Sequence, residues 1–562
     1  MISITVKKEW KRLLCGFFFF SLENSVKDLH SGRAYGIVPI GFIKKPAACK
    51  GGFFMSIIQA EHLTFGYEGA PENVFEDLSF HLDTDWKLGL IARNGKGKTT
   101  LLRLLKGELK GQGSVRISVP VEYFPPQVEK EECLTIEVLE KHQPQAELWE
   151  ICRECNYMNL DTELLYRPFK TLSSGEKTKV LLAGLFARES AFLLIDEPTN
   201  HLDGEARAAI GEYLKSKKGF ILVSHDRKLL DLCVDHVMVL NREDMEIRQG
   251  NFSAWWKDKM ERDEFERREN EKLKKEIGRL SKASVQTKAW ADQVESRKIG
   301  RDPYDGGVTG GREYLGEKSR KMQMRRKNLE RRQQRAIEEK KELLKNVETV
   351  EDLKLMPLVH HKEVLAEVKE CTLAYPEKTV AEQVDFTIKR GEKIFLCGCN
   401  GCGKSSVLKV LLSRMGWEFP KEENALPIIQ EGSIQTASGL IVSYVPQDAS
   451  FLKESLMEFA KSQKLDETVF LTLLRKLDFP REHFKKDMSC YSAGQKKKVL
   501  LAASLSMPAH LYVWDEPLNY IDVFSRIQVE ELLKGTSLTL LAVEHDQLFR
   551  RNINGREIFL FR

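Results

Sequence analysis

Two short stretches of this 562-residue chain have the glycine spacing of a phosphate-binding loop. GCNGCGKS, at 398–405, fits the pattern Gly-x-x-x-x-Gly-Lys-Ser/Thr throughout, whereas ARNGKGKT, at 92–99, begins with alanine. In such a loop backbone N–H groups surround phosphate oxygens, the lysine faces the β- and γ-phosphates, and the last hydroxyl binds Mg²⁺. We therefore predict two sites for ATP and Mg²⁺. Their predicted nucleotide-binding loop residues are Gly95, Gly97, Lys98, Thr99, Thr100, Gly398, Asn400, Gly401, Gly403, Lys404, Ser405 and Ser406.

The first loop departs from the pattern at Ala92. Alanine is compatible with the loop if its φ angle is negative, because only glycine takes positive φ without cost. We therefore expect the first loop to bind nucleotide and to be the weaker of the two.

Acidic residues follow two apolar runs downstream of these loops. AFLLID ends at Asp196 and LYVWD ends at Asp515, and such runs are typical of buried parallel strands. Each aspartate is predicted to support Mg²⁺ together with the loop hydroxyl, and the next glutamate is predicted to polarise the attacking water. The assigned residues are Thr99, Asp196, Ser405 and Asp515 for Mg²⁺, and Glu197 and Glu516 for water.

Two histidines are predicted to be catalytic. His225 and His545 end the apolar runs FILVSH and LTLLAVEH, where an imidazole can hold the γ-phosphate. A single histidine at a strand end is usually structural, but two at matched positions favour a function.

Glutamines and tyrosines complete the predicted sites. Gln127 and Gln447 follow short strands and are expected to sense Mg²⁺ and water, although two prolines precede Gln127 and only one precedes Gln447. Tyr67 and Tyr375 lie 31 and 29 residues before the loop lysines. Stacking on adenine and packing in the core are equally compatible with these tyrosines.

The order of these landmarks shows that the chain contains one domain twice. Asp196 and Asp515 are 319 residues apart, and the glycines of LSSGE and YSAGQ are separated by the same interval. Each loop lies between a short apolar strand and a helix, WKLGLIA and TTLLRLL in the first copy, KIFLCG and SSVLKVLL in the second. We therefore predict an α/β fold with two P-loop nucleotide-binding domains, at 55–254 and 351–562.

The motifs LSSGE, DEPTNHLD and SHD, with the phosphate loop ahead of them, resemble the nucleotide-binding domains of ABC ATPases. In that family two domains pair head to tail, and the signature of one completes the site of the other. The resemblance covers nearly all of 55–562 and implies that the first signature faces 398–405 and the second faces 92–99. Tyr491 stands where leucine is usual, and Asp203 and Asp522 match the segment that links the sites. The implied signature residues are Ser173, Ser174, Gly175, Glu176, Ser492, Ala493, Gly494 and Gln495.

A charged segment at 255–350 joins the two domains. Its first part, WKDKMERDEFERRENEKLKKEIGRL, is poor in strand formers and predicts a helix. A tip at about 298–317 contains Pro303 and several glycines, which interrupt helices. The segment is therefore predicted to be a long helical hairpin with an irregular tip.

Positive charge is concentrated in the far part of this hairpin. The whole chain has a formal net charge of +5, whereas 257–345 has +9 and 297–335 has +8. Charged helices are often only solvated, but this uneven distribution and the aromatic residues near the tip favour phosphate pairing and base stacking on structured RNA. The predicted RNA-binding residues are Arg297, Lys298, Arg301, Tyr304, Arg312, Tyr314, Lys318, Arg320, Lys321, Arg325, Arg326, Lys327, Arg331, Arg332 and Arg335.

This layout resembles the ABC-F family, tandem ABC ATPases without a transmembrane domain whose interdomain linker enters the ribosome. The glycine-containing tip and the motif DEPLNYID are similar to those of the Lsa-like antibiotic-resistance branch. The resemblance implies a cytoplasmic monomer that binds the 70S ribosome, contacts rRNA and P-site tRNA, and has no membrane partner and no DNA partner. It also implies that ATP turnover drives displacement of lincosamide, pleuromutilin and streptogramin A drugs from the peptidyl-transferase centre.

Three alternatives stay open. A housekeeping translation factor of the same family would carry the same motifs. The ATPase subunit of a transporter would have no use for a basic hairpin. A DNA-repair or chromosome-organising ATPase usually has its coiled coil inside one domain, whereas here it lies between two complete ones.

The cysteines and the N-terminal segment give further expectations. The eleven cysteines are scattered, so reduced thiols are expected rather than disulfides or a metal site. No apolar run approaches the ~20 residues that span a bilayer. Met55 begins the strand-like run MSIIQAEHLTFGY, and we expect residues 1–54 to be a non-native or disordered leader that precedes the true start.

Overall fold

The computed structural model describes most of the chain from residue 57 onward. The described residues are 57–69, 73–187, 191–200, 202–240, 244–296, 324, 327, 328, 331, 332, 335, 355, 357–375, 378–419 and 428–560. The leader expected at 1–54 and the predicted linker tip lie outside them. So do eleven predicted RNA-binding residues: Arg297, Lys298, Arg301, Tyr304, Arg312, Tyr314, Lys318, Arg320, Lys321, Arg325 and Arg326.

The first domain contains two sheets. One is antiparallel with the order β2-β1-β4, and the other has the order β5-β6-β7-β3-β8-β9, in which only β9 is antiparallel to its neighbour. The strands are β1 (Ile57–Phe65), β2 (Phe75–Asp83), β3 (Lys87–Ile91), β4 (Gln112–Ile117), β5 (Val121–Phe124), β6 (Phe192–Asp196), β7 (Phe220–Val223), β8 (His236–Leu240) and β9 (Met245–Gln249).

The second domain repeats this arrangement. Its antiparallel sheet has the order β11-β10-β13, and its parallel sheet has the order β14-β15-β16-β12-β17. The strands are β10 (Val364–Tyr375), β11 (Lys378–Lys389), β12 (Lys393–Cys397), β13 (Ile428–Thr436), β14 (Val442–Val445), β15 (Leu511–Asp515), β16 (Leu540–Val543) and β17 (Arg556–Phe559). The fold class predicted from the sequence, α/β with two P-loop domains, is confirmed.

Helices cover the parallel sheets. Those of the first domain are α1 (Lys98–Lys106), α2 (Thr135–His142), α3 (Leu148–Tyr157), α4 (Ser174–Phe186), α5 (Gly204–Ser216) and α6 (Arg227–Cys233). After the linker helix α7 (Phe252–Ser296) come α8 (Lys404–Arg414), α9 (Leu456–Ser462), α10 (Glu467–Lys476), α11 (Ala493–Ser506), α12 (Val523–Lys534) and α13 (Gln547–Asn552).

The strands β6 and β15 have the burial that their sequences predict. Phe192–Ile195 and Leu511–Asp515 are buried at every position, because helices cover both faces of a parallel sheet. These two strands therefore place their terminal aspartates at the carboxyl edge of the sheet, where α/β folds bind ligands.

Each phosphate loop begins where a central strand ends. β3 and β12 end directly before the loops, and α1 and α8 begin at the loop lysines. The residues before these helices, Gly97 and Gly403, have φ angles of 86° and 84°. A Cβ on Gly97 would lie 2.5 Å from Val74. Glycine is therefore required there by both backbone conformation and space.

The helix α7 confirms the helix predicted for the first part of the linker. It has 45 residues and is therefore about 67 Å long. Its base is packed against α12 of the second domain, because the rings of Trp255 and Trp256 lie 6.1 and 6.0 Å from the Phe524 ring. The Lys259 ammonium lies 4.6 Å from the same ring centroid. The Ser253 N–H also donates to Asp231 of the first domain over 2.7 Å, so both domains hold the base of α7.

Within the described ranges, no helix combines the length and the apolar character that crossing a bilayer requires.

Phe524→Ala is expected to loosen the base of α7. The buried ring contacts both tryptophans, and removal of a buried phenylalanine ring costs ~3–5 kcal/mol. Deuterium uptake by peptides covering 252–259 should therefore rise. Phe451→Ala is the matched control, since Phe451 is 56% exposed and its removal should change stability by less than ~0.5 kcal/mol. Equal uptake in the two variants would contradict the role given to Phe524.

Candidate active sites

The residues predicted to hold Mg²⁺ come together at both sites. The Thr99 hydroxyl donates a hydrogen bond to Asp196 Oδ2 over 2.8 Å, and the Ser405 hydroxyl donates to Asp515 Oδ1 over 3.2 Å. Tyr123 also donates to Asp196, over 3.1 Å. Burial raises the pKa of Asp515 to about 6. A hydroxyl and a carboxylate are the oxygen ligands that Mg²⁺ prefers, so each pair fits the ion.

The two predicted catalytic glutamates share a left-handed backbone conformation. The φ angles are 50° at Glu197 and 46° at Glu516. Such a conformation costs ~1–3 kcal/mol and persists only where the surroundings impose it. Here each glutamate N–H donates to the carbonyl at the end of the neighbouring strand, Val223 at 2.9 Å and Val543 at 3.0 Å. The strand pairing therefore aims each carboxylate at the edge of the sheet.

Each glutamate faces the predicted catalytic histidine of its own domain. His225 Nε2 lies 3.2 Å from Glu197 Oε1, and His545 Nε2 lies 3.6 Å from Glu516 Oε1. Burial raises the pKa of Glu197 to about 8. Burial, aided by the charge of Lys98, holds the pKa of His225 well below its usual range. Both shifts favour the neutral form of the side chain in the first site.

The loop lysines are held by carbonyl groups of their own loops. Lys98 Nζ donates to the Ala92 carbonyl over 3.1 Å, and Lys404 Nζ donates to those of Gly398 and Cys399 over 3.0 and 2.8 Å. Burial lowers the pKa of Lys98. These ammonium groups therefore lie inside the loops that would surround the phosphates.

Ala92 has the backbone conformation that makes alanine compatible with the first loop. It is buried, and it is not among the described residues with positive φ. Its counterpart Gly398 has a φ of 147°, and a Cβ there would lie 2.6 Å from Cys402 Sγ. The two loops therefore differ in backbone at this position, which explains why only the second one needs glycine.

The two tyrosines lie at equivalent positions beside their loops. The Tyr67 hydroxyl is 2.9 Å from the Thr100 hydroxyl, and the Tyr375 hydroxyl is 3.3 Å from that of Ser406. Tyr67 is 47% exposed, so its ring is open to a ligand rather than packed in the core.

The glutamines differ between the sites. Gln447 Nε2 donates to Glu516 Oε2 over 2.8 Å, and Asn519 donates to the same oxygen. Gln127 follows the Pro125–Pro126 pair and is exposed. The structure therefore places Gln447 directly on the predicted catalytic glutamate.

The second signature lies on the first phosphate loop. The Asn94 side chain donates to the Tyr520 carbonyl over 2.8 Å, and a Cβ on Gly494 would lie 2.5 Å from Asn94 Nδ2. Arg93 pairs with Asp478 of the second domain at 2.6 Å. The second signature therefore contacts the first phosphate loop, as the head-to-tail pairing implies for this site.

Both signatures begin helices with the same capping box. Ser173 caps α4 together with Glu176, and Ser492 caps α11 together with Gln495. Such helix N-termini favour anions. Gly175 lies against Ala206 and Leu202 of its own domain, and its counterpart Gly494 lies against both the Tyr520 carbonyl of its own domain and Asn94 of the opposite one. Ser174 and Ala493 are the first residues of the two helices.

Tyr491, the departure from the usual leucine, is accommodated by backbone acceptors. Its ring is buried beside Phe479 and His483, and its hydroxyl donates to the His483 carbonyl over 2.5 Å. The hydroxyl is therefore satisfied without disturbing the helix that follows.

Several residues that the motifs do not include strengthen the sites. Lys497 Nζ donates to the carbonyls of Pro446 and Glu516 over 2.8 and 3.2 Å, and Lys498 pairs with the buried Asp522 at 2.9 Å. Burial alone would raise the pKa of Asp522, but this ion pair lowers it. Three consecutive lysines suggest a solvated face, yet these two are each 2% exposed.

Charged residues also join the domains beside the first histidine. The buried Arg227 forms an ion pair with Glu530, and its guanidinium lies 3.6 Å from Asp546. Lys228 Nζ donates to Gln547 over 2.9 Å. No sequence pattern predicts these contacts, because the paired residues are about 300 positions apart.

Comparison with known proteins agrees with this geometry. A family model described as ABC transporter matches residues 75–200 and 381–519. The chain is 27% identical to ribosome protection protein VmlR of Bacillus subtilis, over 88% of this chain and 85% of that protein. It is 25% identical to ABC transporter F family member 5 of Arabidopsis thaliana, over 89% and 74%, and 27% identical to ATP-binding protein Uup of Caulobacter vibrioides, over 85% and 73%.

One solved structure has a similar fold over most of its length. Archaeal ribosome recycling factor aABCE1, in complex with ribosomal stalk protein aP1, has a TM-score of 0.56 and 20% identity over 89% of this chain and 87% of that one. At this identity the likeness concerns the fold alone. Fold and sites together define a tandem ABC ATPase, an enzyme that hydrolyses ATP. Among such enzymes, the chain is similar to a ribosome protection protein and to members of the ABC transporter F family.

Gly494→Ala is expected to destabilise the protein by ~1–3 kcal/mol, because the new methyl group collides with Asn94 of the first domain and with the Tyr520 carbonyl of the second. Gly175→Ala is the matched control. It occupies the same position of its helix, and its methyl group would lie 3.5 Å from Ala206. Calorimetry and deuterium uptake at 92–99 without nucleotide would measure the difference. Equal effects of the two changes would contradict this account.

The first site is expected to gain activity as pH rises through about 8. Glu197 must lose its proton to polarise water, and burial raises its pKa to about 8. The pH profile of kcat/KM reports groups of the free enzyme, so it should be measured in Glu516→Gln, where only the first site turns over. The inflection near pH 8 should be absent from Glu197→Gln. A profile that is flat between pH 6.5 and 9 would refute the assignment.

Proposed function

We propose that this protein binds the 70S ribosome through its interdomain linker and protects the peptidyl-transferase centre against lincosamide, pleuromutilin and streptogramin A drugs. The observation that carries this proposal is the likeness to a ribosome protection protein over 88% of the chain. The linker helix α7 supports it, because a helix of ~67 Å can reach far beyond the ATPase core.

In this function ATP is bound with Mg²⁺. Thr99 and Asp196 would hold the ion at the first site, and Ser405 and Asp515 at the second, since each pair already brings two oxygen ligands together. The ion would neutralise phosphate charge. Glu197 and Glu516 would orient the attacking water, with His225 and His545 beside them.

Contacts at the base of α7 support coupling between ATP and the linker. The Phe524 ring lies between two partners, with Arg93 of the first loop at 5.8 Å from its centroid and Lys259 of α7 at 4.6 Å. Nucleotide that rearranges the first loop would therefore act on the linker through one side chain. Binding to the ribosome would follow because the closed state has the higher affinity for it.

The described part of the returning linker supports contact with RNA. Lys327, Arg331 and Arg335 are helical, exposed and spaced four residues apart, so they share one face of a helix. A row of cations on one face suits the phosphate backbone of RNA. On α7, by contrast, Arg268 pairs with Glu264 and Lys272 pairs with Glu269.

The double variant Glu197→Gln/Glu516→Gln should bind ATP without hydrolysing it, and it should therefore pellet with 70S ribosomes only when ATP is present. Replacing Arg331 and Arg335 by alanine should weaken pelleting and lower its salt dependence by about one unit of slope for each phosphate that is no longer neutralised. Arg268→Ala/Lys272→Ala is the matched control and should pellet normally. Absence of pelleting at every salt concentration would refute ribosome binding.

A housekeeping translation factor is the second candidate, since the relatives also include an ATP-binding protein Uup at 27% identity. Expression in a drug-sensitive bacterial strain separates the two. Protection should raise the inhibitory concentration of the three drug classes and leave that of a decoding-site drug unchanged. The Glu197→Gln/Glu516→Gln variant should give no protection. Pelleting without any protection would favour the housekeeping role.

A further inference from the structure

We propose that Cys399 and Cys402 form a reversible disulfide inside the second phosphate loop, and that this modification disables the second ATP site while leaving the first one intact. The inference goes beyond ribosome protection, because it concerns a covalent modification site in the loop itself. Its evidence is the placement of two free thiols around the lysine that would meet the phosphates.

The two cysteines lie at the ends of one tight turn. The Cys402 N–H donates to the Cys399 carbonyl over 3.3 Å, and a turn closed in this way keeps its terminal Cα atoms within about 7 Å. Disulfides join Cα atoms separated by ~4.4–6.8 Å. The Cα spacing of such a turn therefore overlaps the range that a disulfide can join.

The two thiols have different access to solvent, which sets the order of events. Cys399 is exposed and Cys402 is fully buried. The Cys399 thiolate attacks a low-molecular-weight disulfide, such as oxidised glutathione, forms a mixed disulfide and releases one glutathione thiolate. The Cys402 thiolate then attacks the Cys399 sulfur and releases the second glutathione. Two protein thiols are oxidised, and one glutathione disulfide is reduced to two thiols.

The bridge would alter the part of the loop that receives phosphate. Lys404 Nζ donates to the Cys399 carbonyl over 2.8 Å and lies 4.0 Å from Cys402 Sγ. The disulfide draws the two sulfurs to about 2.05 Å, so the backbone between them and the position of Lys404 must shift. Displacements of about 1 Å in such a site can cost ~100-fold in rate.

The first phosphate loop is an internal control for the oxidation of the second. Its loop has the same turn, since the Lys96 N–H donates to the Arg93 carbonyl over 3.3 Å. Arg93 and Lys96 stand in the places of the two cysteines, so an oxidant cannot bridge them. The same treatment should therefore distinguish the two sites within one molecule.

Other cysteines provide controls. The buried Cys397 lies against Arg550 and is only two residues from Cys399, which is too close along the chain for an unstrained bridge. Cys152 and Cys155 on α3 have the same spacing as the proposed pair, but burial raises the pKa of Cys155 to about 12, so its thiolate is scarce at neutral pH. Burial also raises the pKa of Cys402, but there the charge of Lys404 opposes the shift.

The test is oxidation of the full chain with oxidised glutathione, followed by peptide mapping and by titration with a fluorescent ATP analogue. We expect a 399–402 disulfide, a fall in bound nucleotide from two per chain to one, and recovery after dithiothreitol. Cys399→Ser and Cys402→Ser should each bind the same amount of nucleotide before and after oxidation, whereas Cys397→Ser should lose one nucleotide like the parent. A mapped bridge elsewhere, or loss of one nucleotide in Cys399→Ser as well, would overturn the proposal.

Discussion

The contact between the second signature and the first phosphate loop is the constraint on which the arrangement of the molecule depends. Gly494 has no side chain, so the Asn94 amide can approach the backbone and bond to the Tyr520 carbonyl. The buried Arg227–Glu530 ion pair lies in the same interface. Removing one partner while the domains stay together would leave an uncompensated buried charge, which is costly.

The interface makes the two sites unequal. In the first site Arg93 pairs with Asp478, and the second signature is packed on the loop. In the second site the loop has cysteines at the corresponding positions, and the first signature glycine lies against its own domain. The first loop lacks a glycine, but Arg93 and Asn94 have partners in the second domain. A comparison of the loop sequences alone, which ranks the first loop as weaker, does not reveal these contacts.

Much of the fold could be predicted because its signals are local. The apolar runs before Asp196 and Asp515, the glycines before α1 and α8, and the capping serines of α4 and α11 each act within a few residues. The pairing of Arg227 with Glu530 and the burial of Lys497 depend on residues distant in sequence. Their side chains also look like ordinary surface charges. No periodic pattern distinguishes a solvated lysine from one that donates to two buried carbonyls.

The rigidity of α7 gives its anchoring a geometric consequence. A helix held by Trp255 and Trp256 against Phe524 acts as a lever whose short arm lies at the domain interface. A rotation of about 5° at that pivot would displace the end of a ~67 Å helix by about 6 Å. A small displacement near a phosphate loop, about the length of one hydrogen bond, would thus produce a displacement about the size of a nucleobase at the far end of the helix.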